Sequence, residues 1–150
     1  MQINIIKDFL KSQEWQFTQL EGKNILLFGI GGKNGKFQCI ADLIEEESKL
    51  IFFSVCGVNT PTNKRQDMLQ LLNGLNYKLF LGNFEMDLQY GEVRFRTSVS
   101  FKHIELNQNF IEELIMSNIV IMDKSLPAIL GLIFGEINIE KALELSNQEE

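Results

Sequence analysis

The sequence predicts a single α+β domain built on one antiparallel sheet of about five to six strands, flanked by an N-terminal helix, a middle helix and C-terminal helices. Three observations predict it. Apolar residues recur at helical spacing at the start, middle and end of the chain. Between them lie runs of β-branched and aromatic residues ended by Gly, Asn or charged clusters. The 150 residues suit one core that removes roughly two-thirds of the unfolded surface from water.

From Gln2 to Gln13, Ile3, Ile6, Phe9 and Leu10 stand three or four apart, on one side of a first helix. After Trp15 the pattern turns strand-like in "WQFTQLEG", "NILLFGIGG", "KFQCIADLI" and "KLIFFSVCG", consecutive strands of a meander. Thr60 before Pro61 suits the cap and first turn of a second helix. Met68, Leu69, Leu71, Leu72 and Leu75 give it an apolar stripe, and it should end near Gly74.

Two hairpins carry specific registers. With Asn34 and Gly35 at the centre of a type I′ turn, Leu26, Phe28 and Ile30 face Leu43, Ala41 and Cys39. With Tyr90 and Gly91 as a second turn, Leu88 and Met86 face Val93 and Phe95, while Asp87 and Glu85 face Arg94 and Arg96. A Glu47–Ser48 turn after Ile44 would put Cys39 opposite Cys56, and a one-residue change in that loop would separate them.

Asn107 or Asn109 can cap a helix carrying Phe110, Ile111, Leu114 and Ile115. That helix should break or kink around Asp123 to Pro127, where proline lacks the interior donor. A second stretch, "LPAILGLIFG", follows, then a short helix from Ile139 to Leu145 and a polar tail, about 146–150, that frays. Between Ile119 and Phe134 apolar residues cover most of the helical circumference. Such a helix is either central to the core or pressed on another chain. In the second case Ile119, Ile121, Met122, Leu126, Ile129, Leu130, Ile133 and Phe134 form a partner or dimer surface.

The net charge of −6 has the wrong sign for neutralising phosphates, which argues against a nucleic-acid partner. Asp123, Lys124 and Pro127 interrupt the most apolar stretch, so it reads as buried and not as a membrane span. The start of the chain has no secretory pattern, and two cysteines without CxxC spacing read as free thiols, together placing the chain in the cytoplasm.

The stretch "FGIGGKNGKF" has a nucleotide-loop composition but fails both phosphate motifs. Ile30 stands where a P-loop needs its first glycine and Phe37 where it needs Ser or Thr, while Asn34 replaces the third glycine of G-x-G-x-x-G. A strand also follows where a helix is required. The hairpin reading leaves Lys33 and Lys36 at an exposed tip. His103, the only histidine, reads as an exposed strand-end residue, and "EEE" at Glu45 to Glu47 as a solvated turn. No catalytic residue, metal site or cofactor is indicated. Arg94 and Arg96, close together on one strand face, are the one candidate anion contact, unless Asp87 and Glu85 neutralise them.

The segment "MDLQYGEVRFRTSVSF", followed by the capped "NQNFIEELIMSN" and by "DKSLPAILGLIFG", resembles the YbjN-like family of bacterial sensory transduction regulators, over most of the chain from Ile3 to Leu143. The resemblance implies a fold similar to type III secretion chaperones, frequent homodimers, no catalytic residues and action by binding another protein. A non-enzymatic protein-binding module is thus the leading expectation. The alternative is a small-ligand or anion sensor using Arg94 and Arg96, helped by Lys33 and Lys36.

Overall fold

Ile3, Ile6, Phe9 and Leu10 are buried on one side of the first helix, α1 (Gln2–Ser12). A computed structural model describes residues 2–147. The strands that follow are β1 (Thr18–Gln19), β2 (Ile25–Gly31), β3 (Lys36–Ile44) and β4 (Lys49–Cys56). After them come α2 (Arg65–Lys78), β5 (Asn83–Met86), β6 (Val93–Ser100), α3 (Gln108–Ile133) and α4 (Ile139–Ser146). Among the described residues the strands form one six-stranded antiparallel sheet in the order β1-β2-β3-β4-β6-β5. The α+β expectation is met.

Strand alternation builds the core. Leu26, Phe28 and Ile30 of β2, Phe37, Cys39, Ala41 and Leu43 of β3, Leu50 and Phe52 of β4, and Val93 and Phe95 of β6 all point to the helix side and are buried. α3 lies over them. Its Ile119, Met122, Leu126, Ile129 and Ile133 are buried in the core of the same chain, while Ile121 and Leu130 are half-buried. Five of the eight residues named as a possible partner surface are thus spent on the core of their own chain. Of that set Phe134 alone is exposed, at 61%.

A polar clamp holds α3 to the sheet. Asn118, fully buried, donates from Nδ2 to the carbonyls of Phe52 and Phe95 and to Thr97 Oγ1, each at 3.1 Å. Ser54 Oγ donates to Asn118 Oδ1 at 2.6 Å, and Thr97 Oγ1 donates to the Leu114 carbonyl at 2.9 Å. In surroundings this apolar, each member would be costly unpaired, so the network fixes where along β4 and β6 the helix can sit.

Several local expectations change. Both hairpins keep their predicted faces but pair two residues out of register: Phe28 faces Cys39, Ile30 faces Phe37, Phe84 faces Phe95 and Glu85 faces Arg94. A two-residue slip leaves each side chain on its original face, so the pattern could not distinguish the registers. At the first tip Gly32 donates to Gly35 across Lys33 and Asn34, and Asn34 does not take the positive φ of a type I′ turn. Asp123 of α3 decides this geometry by accepting the amides of Lys33 (3.1 Å) and Asn34 (2.8 Å). Any Cβ at Gly32 would collide with that carboxylate.

At the second tip Asp87 closes a wider loop, accepting from the amides of Gly91 and Gln89 and donating to Glu92. Gly91, at φ 80°, leaves no space for a Cβ against the Thr60 carbonyl. The turn after β3 is a 3-10 turn, Glu45–Glu47, ended by Ser48, so Cys39 faces Ser54 and Cys56 faces Phe37. The two free thiols are buried and do not meet.

Thr60 does not cap α2. Pro61 is extended, a 3-10 turn (Thr62–Lys64) follows, and α2 starts at Arg65. The helix continues through Gly74 to Lys78, because Gly74 is where Leu143 of α4 packs, 3.1 Å from the place of a Cβ. Leu69, placed in the apolar stripe by its spacing, is exposed. α3 does not break either, although Pro127 lies within it. The proline frees only the Asp123 carbonyl, and Asn34 Nδ2 takes it at 3.0 Å. Asn107 caps α3 through the Phe110 amide. Ser146 and Asn147, expected in the frayed tail, complete and cap α4, whereas 148–150 lie outside the described residues.

Replacing Asn118 with Leu removes its bonds to both strands and leaves Ser54 Oγ without its acceptor, which should lower stability by on the order of 3 kcal/mol, more than Ser54→Ala at about 1 kcal/mol. Urea unfolding of the three proteins measures both, and equal effects would contradict the clamp.

Candidate functional site

Helices cover one face of the sheet; the other is bare among the described residues. Across it the register aligns Leu27 of β2, Ile40 of β3, Phe53 of β4 and Arg96 of β6 in one row. Four neighbouring strands spaced about 4.8 Å apart make a strip roughly 14 Å wide. Ile51 and Val55 flank Phe53 on the same side of β4 and are half-buried. A shallow hollow of about 370 Å³, bordered by Leu27, Gln38, Ile40 and Val55, lies on this side.

The row was legible in part. "KLIFFSVC" is apolar at almost every position, whereas a strand with one wet face alternates. Such a strand has two faces to cover, and this chain covers one.

Arg94 and Arg96 border the strip. Their guanidinium carbons lie 4.2 and 5.1 Å from the centre of the Phe53 ring, which explains how Phe53 is only 8% exposed on a face with no packing element. Glu85 Oε1 accepts from Arg94 Nε at 2.5 Å and from Arg96 Nη2 at 3.0 Å. Burial pushes the Glu85 carboxyl up, but the hydrogen bonds from Arg96 and Arg94, with their charges, outweigh it and hold the group below its ordinary range. Asp87, expected to pair with Arg94, instead closes the loop. One carboxylate therefore serves two guanidiniums, and Arg96 Nε is buried without a partner among the described residues.

The remaining candidates are dispersed. Lys33 and Lys36 are exposed at the first tip, far in strand order from β6. His103 is exposed in the connection after β6. Burial pushes the thiols of Cys39 and Cys56 up, away from the reactive thiolate. Among the described residues no three His, Cys, Asp or Glu side chains gather as metal ligands would. α3 is long and apolar enough to cross a bilayer by length and composition, yet its buried side carries Asn118, bonded to the sheet.

A second exposed cluster lies where α2 leads to β5. Tyr77 is 89%, Phe80 102% and Leu81 61% exposed. Single exposed apolar residues are ordinary, but three large ones within five positions are not. Nothing in the sequence marked the cluster as exposed.

The family model for YbjN, described as "Putative bacterial sensory transduction regulator", matches residues 2–130. The crystal structure of YbjN from E. coli, described as a putative transcription regulator, superposes with a TM-score of 0.56 at 13% identity, over 79% of this chain and 89% of that one. A chain of the HopA1-SchA chaperone-effector complex superposes with a TM-score of 0.52 at 15% identity, over 78% and 85%. These two likenesses are of fold, and the second matches the chaperone-like architecture expected from the sequence. No curated protein matches the sequence.

Because Glu85 is more acidic folded than unfolded, its contribution to stability is present above the ordinary glutamate range, near pH 4.3, and disappears as pH falls through it. Urea midpoints followed downward from about pH 7 should fall more for the native protein than for Glu85→Gln, the two converging in acid. Parallel curves would remove the triad's role.

Proposed function

We propose, for a chain that belongs to the YbjN family of bacterial sensory transduction regulators, a non-enzymatic protein-binding module that works as a cytoplasmic homodimer. The observation that carries the reading is the bare sheet face, with Leu27, Ile40 and Phe53 in one row beside two arginines that share a single carboxylate. An apolar strip takes an apolar partner surface, and the surplus guanidinium charge favours a partner carboxylate at its edge. The likeness in fold to a chaperone bound to its effector supports the same reading.

The homodimer belongs on the cluster at Tyr77, Phe80 and Leu81. Most apolar residues of α3 are spent on the core, and this cluster gathers three large exposed apolar side chains within five positions. Light scattering coupled to size exclusion should give a dimer that Phe80→Asp converts to a folded monomer. A native protein that stays monomeric at high concentration removes the dimer.

A second reading, an anion sensor at Arg94 and Arg96, is favoured by the unpartnered Nε of Arg96. Nucleotides, phosphates and acidic metabolites should then raise the melting temperature of the native protein but not of Arg96→Ala. A flat response to all of them eliminates this reading and leaves the protein-binding one standing.

A further inference from the structure

The two edges of the sheet are finished differently. On β5 the Asp87–Glu92 bond sets the odd-numbered residues as partners of β6, so Phe84 turns its amide and carbonyl outward. Asn76 of α2 occupies both: its Oδ1 accepts from the Phe84 amide at 2.7 Å and its Nδ2 donates to the Phe84 carbonyl at 3.1 Å. A side-chain amide thus stands where a neighbouring strand's peptide group would.

β2 has no such cover along its last residues. The bonds from Gly32 to Gly35 and from Leu43 to Asn24 set the even-numbered residues as partners of β3, and the bond from Leu20 to Ile25 shows the odd ones facing β1. β1, however, pairs only Gln19 with Leu26 and Thr18 with Leu27. Gly29 and Gly31 therefore present amides and carbonyls to an edge that no strand among the described residues occupies, and both glycines are exposed. Without side chains they leave the backbone bare.

This edge borders a cleft of about 470 Å³ lined by Trp15, Ile30, Lys33, Ile119, Val120 and Asp123 along with the glycines. Its helix-side wall is apolar and partly exposed, Val120 at 55%. Asp123 holds the tip rigid from α3, so the edge is set before any ligand arrives. The Asp123 carboxylate is taken up by two amides, whereas the Lys33 ammonium has no ion-pair partner among the described residues.

We propose that Gly29 to Gly31 is a strand-addition site: an extended segment of another protein pairs with the free edge of β2, apolar side chains toward Trp15 and Val120, a carboxylate beside Lys33. The unpaired backbone groups specify an extended peptide, since a helix satisfies its own amides and has none to give. The alternating order of the segment follows from one apolar wall and one open side. The lysine places the acid at the segment's end. This inference rests on the protein-binding reading and adds a place and a mode to it.

The test selects a displayed library of random dodecapeptides on the full chain, then titrates the enriched peptide, made synthetically, while the emission of Trp15 is followed. Trp15 is the only tryptophan and lines the cleft, so its signal is local. The control variant Gly31→Ala keeps the amide and has open space for its Cβ. Gly31→Pro deletes that outward amide, which serves no bond to β3, and edge strands accept proline.

The expected peptides alternate apolar and polar residues, shift Trp15 emission, and bind Gly31→Pro about 10-fold or more below native protein and Gly31→Ala, the equivalent of one lost hydrogen bond. Lys33→Glu should weaken them too, and N-methylation of alternate peptide amides should abolish binding without altering the protein. Peptides indifferent to Gly31→Pro and to N-methylation but lost on Phe53→Ala or Arg96→Ala would overturn the edge site while sparing the protein-binding reading. No enrichment at all would overturn both.

Discussion

Everything about the shape of this protein depends on one buried amide. Asn118 reaches from α3 between two neighbouring strands and takes carbonyls on both, so the helix is fastened at a point and not merely pressed on an apolar surface. Hydrophobic burial alone would tolerate some sliding of a helix this apolar. A satisfied polar network tolerates little, because moving by one residue strands several groups at once. With α3 fixed, α1 and α4 have a surface to pack on, and the opposite face of the sheet is the one left bare.

Two further asparagines manage exposed backbone. Asn76 covers the outward peptide groups of Phe84 at one sheet edge, and Asn34 fills the carbonyl that Pro127 frees. A primary amide offers donor and acceptor side by side, as a peptide group does, so it can replace one wherever the chain cannot supply a strand. Seen together, these contacts leave the sheet with one edge covered at Phe84, one edge open at Gly29 and Gly31, one covered face and one uncovered face. The asymmetry is the basis for reading the molecule as a binder.

Much of the fold was legible in the sequence. Runs of β-branched and aromatic residues identified β2, β3 and β4, alternation identified β6, and three- and four-residue spacing identified α1 and the buried side of α3. Register was not legible, because pairings two residues apart share faces, and the deciding contacts came from Asp123 and Asp87. Pro127 read as a break because nothing local shows that Asn34, in a distant loop, will take the carbonyl it frees. Of the candidate site, Arg94, Arg96 and Glu85 were found by spacing. Their convergence on Phe53 required knowing that β4 and β6 are neighbours, which follows from a crossover and not from sequence order.

The bond from Asn34 to the Asp123 carbonyl also has a bearing on how the chain assembles. A hairpin closed by a type I′ turn is complete once its own residues exist. Here the tip takes its final geometry from a carboxylate and a carbonyl that are synthesised after the whole sheet. A chain emerging from the ribosome therefore carries an unfinished β2–β3 tip until α3 arrives. The arrival of that helix settles the tip and covers the sheet in the same event, so the edge of β2 becomes well defined only in a molecule whose core is already closed.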